Sequence, residues 1–250
     1  MKKRILSCFM ALALCLTLLP ATAQAAGAEQ AHTHFLCGTD SCNWEDHANA
    51  DDKTTFAKWL ASSDGKLSVQ ETPESSSGTS LHEDPNDTSC VLLEPGYYYL
   101  STTADNYDSS YVQSDKTIKI QGNVTICLNG NTLQSKAQNN PVFLIEGTGV
   151  LTLTDCQNGG KVTRVTNSDS WGSGVKVENG GTFNMYGGTI TGNKATTGDL
   201  ETQKGGGVYV TGTNSTFNMY GGTISGNNAT TGGGVYVSGG KFTMNGNASV

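Results

Sequence analysis

From Cys90 to the end of the chain, apolar and polar residues alternate in short runs, and each run breaks at Gly, Asn or a pair of them. "CVLLEPGYYYLS", "TIKI", "VTICLNGNTLQ", "VFLIEGTGVLTLT" and "KVTRV" all keep this rhythm. A period of two sends successive side chains to opposite faces of a strand, and runs this short are not helices. Val208 and Val210 therefore face inward with Tyr209 outward, and Phe217 and Met219 face inward with Asn218 outward. The Gly and Asn breaks predict tight corners between strands.

The pattern also repeats. "GGTFNMYGGTITGNKATTGDLETQKGGGVYV" is followed by "STFNMYGGTISGNNATTGGGVYVSGGKFTMNG". Val175, Val208 and Val235 occupy equivalent places, spaced by 33 and then 27 residues. Phe183, Phe217 and Phe242 are equivalent too, as are Asn193 and Asn227. Periods of this length mark solenoids and arrays, in which one copy cannot bury its own apolar face and must stack on its neighbours. Three short strands per copy, with a turn at each corner, predict an all-β, right-handed parallel β-helix with stacked coils over residues 90–250. Asn193 and Asn227 then stand in a corner ladder of amide hydrogen bonds. The segment "GDLETQK" is present in one copy and absent from the next, so it belongs at a corner, outside the strands.

Composition narrows the class. Glycine reaches 32 residues and proline only 5, while charged residues make up 15% of the 250-residue chain. The glycines lack a three-residue period, which excludes collagen, and the recurring Val, Ile, Phe and Tyr argue against disorder.

At the N-terminus, Lys2, Lys3 and Arg4 precede an apolar run from Ile5 to Leu19 and the small residues "ATAQA". This is the pattern of a secretory signal over residues 1–25, cut after Ala25, and its apolar run is too short for a membrane span. Its loss moves the formal net charge from −7 to −10. An acidic exported chain argues against nucleic acid or anionic lipid as partner and leaves glycans, proteins or calcium open. No direct membrane insertion is expected after cleavage.

Residues 26–60 carry His32, His34, Cys37, Cys42 and His47. Imidazoles and thiolates this close together fit a tetrahedral zinc site. In an exported chain Cys37 and Cys42 fit a small disulfide equally well, and the spacing does not choose between them. Residues 61–89 have almost no apolar periodicity and read as a polar linker or surface loop. Cys127 and Cys156 sit in apolar strands and read as buried thiols; five cysteines follow the cleavage site, so not all can pair within one chain.

"CVLLEPGYYYLS", "TIKI" and "VTICLNGNTL" resemble the first coils of right-handed parallel β-helix proteins of the pectin-lyase-like class. "GGTISGNNATTGGGVYV" is similar to repeats in large secreted surface proteins of Gram-positive gut anaerobes. It resembles more distantly the repeats of polymorphic outer-membrane adhesins, which carry Phe where Ile190 and Ile224 stand here. Such a resemblance implies the fold over roughly the last 160 residues, and leaves activity open because the fold hosts enzymes, adhesins and passive stalks.

Two functional expectations follow. The first is a bacterial cell-surface adhesin or structural spacer that meets a host or neighbouring-cell glycan or surface protein through outward ladders, Lys176–Tyr209–Tyr236 and Tyr186–Tyr220. The same tyrosines can instead serve only to steady one another across strands. The second is a carbohydrate-active enzyme, a polysaccharide lyase or glycoside hydrolase, with Lys161 or Arg164 as base near Asp155 and Asp169. Catalysis requires acidic or basic groups converging on one face of adjacent coils, and the sequence names no catalytic residue by that standard. The final "NASV" stops mid-coil, which leads us to expect further chain beyond Val250.

Overall fold

The computed structural model describes residues 57–59, 81–100, 111–165, 172–198 and 203–250, with 57–59 and 111–113 described by backbone alone. The signal sequence, the His/Cys set and the polar stretch before Leu81 lie outside the described residues.

Two strands come first, β1 (Ala57–Trp59) and β2 (Leu81–Asp84). The first winding then holds β3 (Asp87–Leu93), β4 (Gly96–Leu100) and β5 (Tyr111–Ser114), and the second β6 (Thr117–Ile120), β7 (Asn123–Cys127) and β8 (Thr132–Ser135). The third holds β9 (Phe143–Glu146), β10 (Val150–Thr154) and β11 (Lys161–Arg164). The fourth comprises β12 (Val175–Glu178), β13 (Thr182–Met185), β14 (Thr189–Thr191) and β15 (Lys194–Ala195). The fifth repeats this with β16 (Val208–Thr211), β17 (Thr216–Met219), β18 (Thr223–Ser225) and β19 (Asn228–Ala229), and β20 (Val235–Ser238) and β21 (Lys241–Met244) begin a sixth.

Each strand pairs in parallel with its counterpart one winding on. The result is two seven-stranded sheets and one five-stranded sheet, with β15 and β19 as a short ladder of their own. The described residues thus form an all-β parallel solenoid of five windings, each contributing one strand to each of the three main sheets. We call the sheet β2-β3-β6-β9-β12-β16-β20 the first face, β1-β4-β7-β10-β13-β17-β21 the second, and β18-β14-β11-β8-β5 the third. Val208 pairs with Val235 and with Val175, so the expected stacking of equivalent residues holds.

Register explains the core. On the first face Val91, Ile118, Phe143, Val175 and Val208 fall in one inward column, and all are buried. On the second face Phe183, Phe217 and Phe242 stack with ring centroids 4.8 Å apart and planes 13° apart. Parallel in-register pairing repeats side chains at the spacing between strands, roughly 4.8 Å, which suits aromatic rings in offset stacks. Repetition of the sequence is therefore repetition of the core. In β20 and β21, the outermost strands of their sheets, Val235 and Phe242 are only partly buried.

Corners follow the Asn and Gly positions. Between β12 and β13, Asn179 and Gly180 have φ of 53° and 97°, and the Gly181 amide donates to the Glu178 carbonyl at 3.0 Å. Two successive residues at positive φ turn the chain sharply, and Asn-Gly is the pair that tolerates this best. Gly174 and Gly207 answer a different need: a Cβ on Gly207 would lie 2.6 Å from the Gly234 carbonyl oxygen and 2.5 Å from Ile224. The recurring glycines before "VKV" and "VYV" keep neighbouring windings in contact.

The stack begins ahead of Cys90. β2 pairs antiparallel with β3 through a turn at Asp84–Asp87, within the stretch read as a polar linker or loop. Pro85 and Asn86 make that turn, and the Asn86 amide donates to Asp84 Oδ1 at 2.8 Å. β1 and β2 thus cover the first-winding edges of two sheets that would otherwise present unpaired backbone.

Asp84 is 3% exposed, and Lys119 reaches both it (3.2 Å) and Glu146 (2.6 Å). The Asn86 amide, and then the Lys119 ammonium, hold the Asp84 carboxyl below its ordinary value of 3.8. A depressed carboxyl contributes stability that is present above the unfolded value and lost as pH falls through the folded one. Asp84→Asn is therefore expected to lower the melting temperature at neutral pH. The gap to wild type should close as pH is taken below about 4, in thermal melts recorded across the acid range.

Candidate functional site

The outward side of the second face carries the most regular chemistry. Strand alternation puts Thr182, Asn184 and Tyr186 on one side of β13 and its extension, and Thr216, Asn218 and Tyr220 on the same side of β17. In β21 the equivalents are Lys241, Thr243 and Asn245. The backbone ladder continues one residue past the strands: the amides of Tyr186, Tyr220 and Asn245 each donate at 2.8 Å, to the carbonyls of Leu153, Met185 and Met219. That continuation aligns the tyrosines. Their rings stack with centroids 4.7 Å apart and planes at 16°.

Beside the rings runs an amide ladder, with Asn218 Nδ2 donating to Asn184 Oδ1 at 3.0 Å. Each amide carries two N–H donors and an acceptor oxygen, more than this one bond uses. All four side chains are half-buried, held by the sheet yet open to solvent. Mutual stacking covers one face of each ring, and both side chains stay half-buried at this surface. Aromatic surface next to fixed hydroxyls and amides suits a polar, flat molecule. Asn184 and Asn218 were not singled out from the sequence. Their two-residue spacing from Tyr186 and Tyr220 is the signal that places them on the same side.

The other expected ladder is different. Lys176, Tyr209 and Tyr236 are in register on the first face. Tyr209, however, is only 4% exposed, which corrects the expectation of a solvent-facing column there. The backbone at Gly205 runs against it; a Cβ on Gly205 would sit 2.7 Å from the Tyr209 Cα. The Tyr209 and Tyr236 rings are 5.5 Å apart and tilted by 53°, and Lys176 pairs with Glu178 at 2.9 Å. Lys204 lies over Tyr236 at 5.5 Å. The end of the "GDLETQK" insertion thus runs back against the strand it precedes, and the ladder is interrupted at the enclosed Tyr209 while Lys176 and Tyr236 stay half-buried.

Residues cast as a catalytic base do not converge. Lys161 is exposed, whereas Arg164 is 2% exposed and donates to the carbonyls of Gly172 (3.0 Å), Ala137 (2.6 Å), Ser173 (3.4 Å) and Asn140. Burial pushes its guanidinium down to about 10, so it stays charged at neutral pH. Asp155 is buried and accepts the amides of Gly130 and Gly160, both at 2.7 Å, which is a corner clamp. Asp169 lies outside the described residues.

His32, His34, Cys37, Cys42 and His47 also lie outside the described residues. Among those that are described, no group of three or more His, Cys, Asp or Glu side chains is placed to hold a metal ion. The corner ladder expected at Asn193 and Asn227 is present, with Asn193 Nδ2 donating to Asn227 Oδ1 at 3.0 Å.

The fold and this face define a parallel β-solenoid with an aromatic and amide ladder on one outer surface. No protein-family model, curated protein or solved structure matches the chain.

Proposed function

We propose that this chain is an exported bacterial cell-surface solenoid of the pectin-lyase-like type, an adhesin or structural spacer that holds a glycan or surface protein through repeated weak contacts. The observation that carries the reading is the Tyr186–Tyr220 stack beside the Asn184–Asn218 ladder, one Tyr/Asn set on each of the fourth and fifth windings. Equivalent groups on a rigid support engage an extended ligand at several points, and each engagement raises the effective concentration for the next. A glycan fits this surface best, because its hydroxyls match the amides and its C–H faces match ring edges and ends. Hydrolysis or elimination has no comparable support, since Arg164 is enclosed and Asp155 serves a corner.

The test is retention of residues 26–250 on immobilised polysaccharides and cell-surface extracts, wild type against Tyr186→Ala/Tyr220→Ala. Binding should weaken by about 5- to 150-fold, from roughly 0.5–1.5 kcal/mol per ring contact over two rings. Circular dichroism should be preserved, because both rings lie outside the core. Unchanged binding by the double variant would rule this surface out, and depolymerised polysaccharide would favour an enzyme. Export is checked separately: N-terminal sequencing of protein from the medium or cell surface should begin at Ala26.

A further inference from the structure

We infer that Cys127 and Cys156 form a disulfide that staples the second winding to the third. Cys127 ends β7, and Cys156 stands two residues beyond Thr154, the residue that pairs with Cys127 in β10. Their sulfurs are 3.2 Å apart, although the residues are separated by 29 positions in the chain. A disulfide bond is about 2.05 Å long, so closing it calls for a shift of about 1.2 Å in the sulfurs. The site is also held: the Leu128 amide donates to the Thr154 carbonyl at 2.8 Å, and the Cys156 amide points at Cys127 Sγ at 3.4 Å.

Accessibility gives the order of events. Cys127 is fully buried and Cys156 is partly exposed. A small disulfide oxidant, such as oxidised glutathione, is attacked by the Cys156 thiolate, forming a mixed disulfide and releasing one thiol. The Cys127 thiolate then attacks Cys156 Sγ and expels the second thiol. Two protons leave the cysteines, and the oxidant's disulfide gains the two electrons. Cys127 is enclosed, so the second exchange is slow once the chain has folded and is completed while the windings are still closing.

The cysteine count agrees. Cys90 is 2% exposed, donates to Asp87 Oδ2 at 3.3 Å, and is pushed up to about 11 chiefly by burial. It is the natural odd thiol. Cys37 and Cys42 are then left to each other or to a metal, with no need to reach into the stack.

An oxidising compartment is supplied by the export reading, so the test uses purified residues 26–250 refolded in oxidised/reduced glutathione and does not depend on where the protein resides. The chain is alkylated while denatured and mapped without reduction. The expected result is one peptide pair joining Cys127 to Cys156, lighter by two hydrogens than the separate thiols. Oxidised protein should melt roughly 5–15 °C above its reduced form. Cys156→Ser should shrink that difference and Cys90→Ser should keep it, each read in a Cys37→Ser/Cys42→Ser background so that no second bond contributes. Full alkylation of Cys127 and Cys156 after oxidative refolding, or a link from either to Cys37, Cys42 or Cys90, would each overturn the assignment.

Discussion

Phe217→Ala is expected to destabilise the protein by about 3–5 kcal/mol, read as a lower urea midpoint. Phe217 is fully buried and is the middle ring of its column, stacked on Phe183 and on Phe242 at 4.8 Å each. Truncation removes two ring contacts at once and leaves a void that the windings above and below cannot fill without breaking strand register. A solenoid winding touches only its neighbours, so the damage should stay local. Hydrogen exchange should therefore quicken first in β16 to β21, while β6 to β10 keep their protection. Uniform loss of protection along the stack would show that the windings do not contribute as separable, neighbour-coupled units.

The second large effect is expected at Arg164. Its guanidinium gathers carbonyls from the segment after β8 (Ala137, Asn140) and the segment before β12 (Gly172, Ser173). The Ser173 carbonyl also accepts the Val142 amide at 3.1 Å, but a buried carbonyl left without any donor costs about 1–3 kcal/mol. Arg164→Ala should lower stability by about 2–5 kcal/mol, combining lost donors with a cavity. Arg164→Met separates the two causes by restoring volume without donors. It should stay well below wild type in denaturant titrations, and Arg164→Lys should fall between, because an ammonium lacks the planar fork. If Arg164→Met matched wild type, packing alone would account for the residue, and the carbonyl cage would be incidental.

Much of the fold was legible because the solenoid is built from local repetition. Val175, Val208 and Val235 could be aligned by eye, and parallel in-register stacking turns such an alignment directly into contacts. β2 escaped notice because "LHED" has only a weak alternation, and its pairing depends on a turn at Pro85 and Asn86 that also resembles a loop. The two tyrosine ladders looked equivalent in sequence. They differ because Tyr209 is enclosed with the backbone at Gly205 against it, and no pattern within β16 announces what an insertion will fold against.

What the sequence by itself determined is the architecture: alternation sets the faces of each strand, glycine and asparagine set the corners, and near-identical copies set which strands meet. Those are relations between residues close in the chain or equivalent in the repeat, and they survive without coordinates. Tertiary structure alone decided which side chains are open and which are enclosed. Tyr186 and Tyr220 emerged half-open, Tyr209 and Arg164 were enclosed, and two cysteines from successive windings came within 3.2 Å. Exposure and proximity depend on what the irregular segments between strands do, and those segments do not repeat.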